Sequence, residues 1–195
     1  MKFLEKAYSY RFEGVKNEVY QFRFISEGAQ QITKIVTIAP VGTNIDWYNV
    51  GFGNLENEGD EIIVNDFSEV NNQDYDEVLA TVFGCILHFL YFNPDSVILF
   101  FGNTLHKHRL YKQKISFNIE SLEQYLDISG GKIEEKIVVI EKEQTVVRKG
   151  KEHKRMIREK DITSLSNGVT VSTIEKYNKD KTSDYQFVLF KLKSE

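Results

Sequence analysis

The run Asp74-Tyr-Asp-Glu-Val-Leu-Ala-Thr-Val-Phe-Gly-Cys-Ile-Leu-His-Phe-Leu-Tyr-Phe92 decides how this chain is read. Tyr75, Val78, Leu79, Val82, Phe83, Ile86, Phe89 and Leu90 recur at i, i+3, i+4 and i+7, the period of a helix with a wide apolar face. Asp74 and Glu77 form a loose capping box, with Asp in the place of Ser or Thr, and Asn93-Pro94 ends the pattern. So wide an apolar face needs a sheet to cover it. His88 falls with Thr81 and Gly84 away from the stripe, which predicts a surface or satisfied histidine and not a metal ligand.

The first fifty residues offer that sheet. Tyr8, Tyr10 and Phe12 alternate with polar residues, Val19 to Ile25 alternates again, Ile32 to Ile38 is β-branched, and Trp47 to Phe52 completes a meander of four strands. Breaks fall at Gly14, Ser26-Glu-Gly28 and Pro40-Val-Gly42. Val97-Ile-Leu-Phe-Phe101 is a continuous apolar run, the mark of a strand covered on both faces. A second helix is predicted over about 105–116 and a short helical segment within 119–126, ahead of Gly130-Gly131. Strands then follow at 136–142, 146–147, 169–177 and 185–192, with the run Arg148 to Lys160 as the tip of a long hairpin. The reading is an α+β protein: an antiparallel meander packed on one long amphipathic helix, with a C-terminal β-hairpin extension. Its parts are a core domain, 1–130, and a β-rich extension, 131–195.

At 195 residues, 41% hydrophobic and 13% aromatic, the chain can bury one core. The single Cys85 cannot form an internal disulfide, and it lies in the apolar helix, which fits a reducing compartment. The opening MKFLEKAYSYRFEG has no sustained apolar segment and no stretch approaches a membrane span, so the expectation is a cytoplasmic protein without membrane contact. The net charge of -4 hides an asymmetry: residues 1–100 carry 6 Lys/Arg against 15 Asp/Glu, and residues 101–195 carry 19 against 14. Nine carboxylates and no cation lie between Asn54 and Glu77, a block that repels polyanions or docks on a basic surface.

Two basic clusters are candidates for that surface or for an external anion. In the first, a strand feeds a helix through Gly102, with Thr104 as N-cap and Lys107, Arg109, Lys112 and Lys114 in the helix. Cations in a first helical turn oppose the macrodipole by up to about 1 kcal/mol each, so either a bound anion or the acidic block has to compensate. The second is the hairpin tip, where Arg148, Lys149, Lys151, Lys154 and Arg155 belong to a run of seven Lys/Arg with only two acids.

Tyr48-Asn-Val-Gly-Phe-Gly-Asn-Leu55, Asn71-Asn-x-Asp74 leading into Val78-Leu-Ala-Thr-Val82, and Gly102-x-Thr104 leading into Arg109-Leu-Tyr111 resemble a family of uncharacterised bacterial proteins. The resemblance covers roughly residues 8–126. It implies a genuine domain and brings no reaction with it. Lys107 and His108 stand where the family pattern has Arg and Thr, which keeps the charge but loses the guanidinium fork, and Glu77 stands where it has Lys.

No triad spacing, phosphate loop or cofactor motif is present, and His106-x-His108 lacks the further ligands of a zinc site. Glu134-Glu-Lys136 with Asp66 would be the core of a metal-dependent nuclease, a second alternative. The four-strand meander and helix are similar in outline to single-stranded nucleic-acid-binding folds of the Whirly kind, and Tyr8, Tyr10, Phe12, Tyr20, Phe22 and Phe24 are rings that could stack bases. The leading expectation is a non-catalytic nucleic-acid or polyanion-binding module of a bacterial regulatory or defence system. The first alternative is a protein-interaction module or homodimer built on the acidic block.

Overall fold

A computed structural model describes residues 3–41, 44–58, 61–65, 72–102, 105–134, 138–148, 151–161 and 170–194. In chain order these hold β1 (Tyr10–Lys16), β2 (Val19–Glu27), β3 (Gln31–Val41), β4 (Asn44–Glu58), β5 (Glu61–Asn65), α1 (Tyr75–Phe92), β6 (Val97–Phe100), α2 (Leu105–Phe117), α3 (Ile119–Leu122), β7 (Leu126–Glu134), β8 (Val138–Arg148), β9 (Lys151–Asp161), β10 (Thr170–Lys176) and β11 (Phe187–Leu192). The class is α+β. Two compact units result: Met1–Gly131 with Glu175–Glu195, and Lys132–Ile174.

In the first unit β1 to β4 meander antiparallel, as their short turns require, and β5 folds back on β4. The sheet is not purely antiparallel, however. After β5 the chain crosses over through α1 and lays β6 parallel to β4, with Trp47 opposite Val97 and Asn49 opposite Leu99. A helical crossover returns the chain in its original direction, and no feature of β6 itself signals that. β11 then inserts between β6 and β7, antiparallel to both, with Leu189 opposite Leu99 on one side and Ser129 on the other. Its residues Phe187 to Phe190 are all buried. The C-terminal strand is therefore part of the main sheet, and the separate unit is 132–174, not the 131–195 expected from sequence.

Gly130-Gly131 is likewise not a break. Both glycines lie within β7, where a Cβ on Gly130 would stand 2.4 Å from the Tyr185 ring and one on Gly131 1.9 Å from that of Phe187. The rings of the incoming segment occupy the space that two side chains would fill.

α1 is at the centre of the core, and ten of its eighteen residues are buried. Its length and mean hydropathy of 1.3 would allow it to cross a membrane, but here it is the core helix of the unit. The side opposite the predicted stripe is covered too. Thr81 is fully buried: its hydroxyl accepts the Tyr8 N–H at 2.8 Å and donates to the Glu77 carbonyl at 2.7 Å. The Tyr10 hydroxyl donates to the Gly84 carbonyl at 3.0 Å. The N-terminal segment thus closes over the face that helical periodicity leaves polar.

Candidate functional site

The polar residues that open α1 form a buried network. Asn72 clasps Gln30, donating from Nδ2 to its carbonyl and accepting its N–H, both at 2.9 Å, and also donates to Ser26 Oγ at 2.7 Å. Asp74 accepts from Ser26 at 2.5 Å and from the Tyr8 hydroxyl at 2.9 Å, so its carboxylate makes no cap bond to the helix. The capping-box reading is replaced by a long-range one. Mainly through burial, the Tyr8 pKa is pushed up to about 12. Gly28 is required here, because a Cβ would lie 1.8 Å from the Asn72 carbonyl oxygen. Asn72 and Asp74 pin the β2–β3 turn to the start of α1, a structural task.

The candidates on α2 divide. Thr104 lies outside the described residues. Arg109 is exposed and Lys107 half-buried. Lys112 is 6% exposed, and its amine donates to the Tyr185 carbonyl at 2.7 Å. Burial first, then the charge of Arg109, lowers its pKa. Lys114 bonds Asp76 at 2.5 Å, beside a second contact from Lys6 at 3.3 Å, and this hydrogen bond holds the Asp76 carboxyl below its ordinary value. Asp76 belongs to the acidic block, so pairing between block and helix is realised at that position. The amines of Lys112 and Lys114 thus serve internal contacts, a correction to their place in an anion site. Lys34, missed in the sequence because it sits in a β-branched run, donates to Asn54 Oδ1 at 2.7 Å. Its pKa is lowered by burial and, further, by Lys107, while Asp74 acts the other way.

His108 completes this node. Its Nδ1 accepts the Gly102 N–H at 3.3 Å, which leaves the proton on Nε2 to donate to the Tyr185 carbonyl at 3.1 Å. Burial lowers its pKa below the ordinary 6.5, against the opposing effect of the Tyr185 bond. The unfolded chain therefore takes up this proton first on acidification. Stability from neutral His108 is whole above about pH 6.5 and is lost as pH falls from there toward the folded-state pKa. Thermal melts from pH 7.5 to 5 should show the wild type losing more than His108→Gln does; equal losses would contradict the assignment.

In the second unit β8 and β9 form a two-stranded antiparallel ribbon whose register sorts its charges. Paired residues share a face and faces alternate along each strand. One face carries the pairs Arg148–Lys151, Val146–His153, Gln144–Arg155 and Lys142–Ile157, then Ile140–Glu159 and Val138–Asp161. The other carries Val147–Glu152, Thr145–Lys154, Glu143–Met156, Glu141–Arg158 and Val139–Lys160. The first thus has four cations and His153 with no acid from Lys142 to Arg155, whereas the second balances three cations against three carboxylates. Lys154 belongs to the balanced face, apart from Arg148, Lys151 and Arg155, and Lys149 lies outside the described residues. The compositional run concealed this division, which needs the pairing register.

Of the rings proposed to stack bases, Phe22 and Phe24 are core, at 1% and 2% exposure, while Phe12 is 42% exposed. Tyr8, Tyr10 and Tyr20 are half-buried. Cys85 is fully buried and its thiol pKa is pushed up by desolvation. Asp66, Glu135 and Lys136 of the nuclease reading, and the side chain of Glu134, lie outside what is described. Among the described residues no group of three or more His, Cys, Asp or Glu side chains is placed to hold a metal ion.

No curated protein and no solved structure matches the chain. A family described as a family of unknown function, DUF6934, matches residues 5–149, from ahead of β1 to just past the end of β8. That span is most of the chain, and the protein therefore belongs to the family of unknown function DUF6934.

Proposed function

We propose that the chain is a non-catalytic module that binds nucleic acid or another polyanion, and that the cationic face of the β8–β9 ribbon is its principal contact. The observation that carries this reading is the register, which collects Lys142, Arg148, Lys151 and Arg155 on one face and leaves the other balanced. A two-stranded ribbon is a shape the major groove admits, and lysine and arginine on phosphates supply most of such affinity. We take the ribbon as the hairpin extension that the sequence anticipates, with α1 as the amphipathic helix supporting the main sheet. Arg109 is the α2 cation offered as a secondary contact, and Lys112 and Lys114 are not.

The test is fluorescence anisotropy of labelled duplex and single strand with the full chain between about 50 and 200 mM salt. Four phosphate contacts predict a log-log slope of about 3.6 on duplex and about 2.8 on a single strand. No binding of either at about 50 mM salt would reject the proposal. Self-association by sedimentation under those conditions would then favour the interaction-module alternative.

A further inference from the structure

On β2, Phe22 and Phe24 join the core around α1, so the alternate residues Arg23, Ile25 and Glu27 face the other way. Ile25 is 47% exposed, and Glu27 is exposed as well. Arg23 stands directly opposite Arg11 on β1, and like charges so placed repel. One carboxylate oxygen serves both. Arg11 holds Glu13 Oε1 through Nη2 at 2.8 Å and Nε at 2.9 Å, and Arg23 Nε lies 3.4 Å from the same oxygen without forming a hydrogen bond. Among the described residues Arg23 has no second ion pair and Glu27 has none. Arg11, Glu13, Arg23, Ile25 and Glu27 all line one surface groove, so a partner reaches them together.

We infer that this face is the contact surface of a homodimer, in which two β2 strands lie antiparallel across a two-fold axis at Ile25 and Arg23 pairs with the partner's Glu27. The order of the charges selects a second copy as the occupant. Cation, apolar residue and anion follow one another at equal steps along β2, about 6.6 Å each. Reversed, that order is its own complement, so one patch serves both protomers, as an isologous contact requires. Each surplus guanidinium then meets the carboxylate it lacks, and the two Ile25 side chains meet on the axis. A free phosphate would satisfy Arg23 but leave Glu27 unpaired and Ile25 in water. The edge strand β1 is the poorer surface, because its register shifts between Phe12 and Gly14, and such a bulge discourages pairing from edge to edge. So small a patch predicts a weak, salt-sensitive dimer. The inference does not depend on the polyanion reading.

The experiment is sedimentation equilibrium of nuclease-treated, full-length protein at about 10 to 500 μM chain and about 50 mM salt, conditions that populate a weak interface. Wild type is expected to dimerise, and to do so less at about 500 mM salt. Arg23→Glu and Glu27→Arg each set like charges together twice per dimer, so each alone should weaken association by at least about tenfold. Mixed in equal amounts, the two variants should pair with each other about as tightly as wild type, because each supplies the charges the other lacks. The double variant should recover in the same way. A merely structural role for either residue predicts no such recovery. Thermal melts establish that the variants fold. Should Arg23→Glu not fold, Glu27→Arg and Ile25→Asp, both at exposed positions, carry the test, and each should lose the dimer. Wild type that stays monomeric throughout, single variants that dimerise like wild type, or a mixture no tighter than its parts would overturn the inference.

Discussion

Val82→Asp is expected to give no soluble protein with a cooperative melt. Val82 is fully buried in α1, within the core cluster that includes Phe22, Ile98, Val188 and Phe190 from β2, β6 and β11. An unpaired carboxylate there costs several kcal/mol against a total stability of about 5 to 15 kcal/mol. Tyr91→Asp, near the end of the same helix and 73% exposed, is the control, and it should fold. Both variants are scored by soluble yield and by thermal melting followed by circular dichroism. A cooperative Val82→Asp melt would mean that α1 is not the element on which the sheet is built.

The second large effect is expected at Asp74. Asp74 is 7% exposed, and its carboxylate accepts from the Ser26 and Tyr8 hydroxyls. Asp74→Ala leaves both donors without their partner, at about 1 to 3 kcal/mol for each buried group. Urea unfolding should show a loss of about 2 to 5 kcal/mol, with Asp74→Asn losing less because its side-chain oxygen can still accept. A loss below about 1 kcal/mol would return Asp74 to a merely local role at the helix start. The same measurement tests the structural reading of the Asn-x-Asp motif, which in sequence looks equally like a functional signature.

How far the sequence could be read follows from which forces are local. The apolar stripe of α1 was legible because helical period is a property of neighbouring residues. The covering of Thr81 and Gly84 on the opposite side was not, since it depends on Tyr8 and Tyr10 arriving from the N-terminal segment. The strands β1 to β4 were legible from alternation and turn residues. The parallel pairing of β6, and the insertion of β11 between β6 and β7, are decisions about partners, and no residue within those strands encodes them. Gly130-Gly131 read as punctuation because only the rings of Tyr185 and Phe187 explain why two glycines sit inside a strand. On α2, charge was visible but its use was not: Lys112 and Arg109 look alike in sequence, yet one is buried on the Tyr185 carbonyl and the other is exposed. The ribbon is the intermediate case, because alternation along β9 is plain but only pairing with β8 shows which face gathers cations without an acid from Lys142 to Arg155.

The central claim is that one face of the ribbon, and not its overall charge, holds the polyanion. It is tested most directly by the salt dependence of duplex binding for two full-length variants of equal charge change. One carries Arg148→Ala, Lys151→Ala and Arg155→Ala, and the other Lys154→Ala, Arg158→Ala and Lys160→Ala. At about 0.9 per phosphate contact, the first should lower the log-log slope by about 2.7 and the second by less than about 1. Equal reductions in the two variants, or a larger one in the second, would contradict the account.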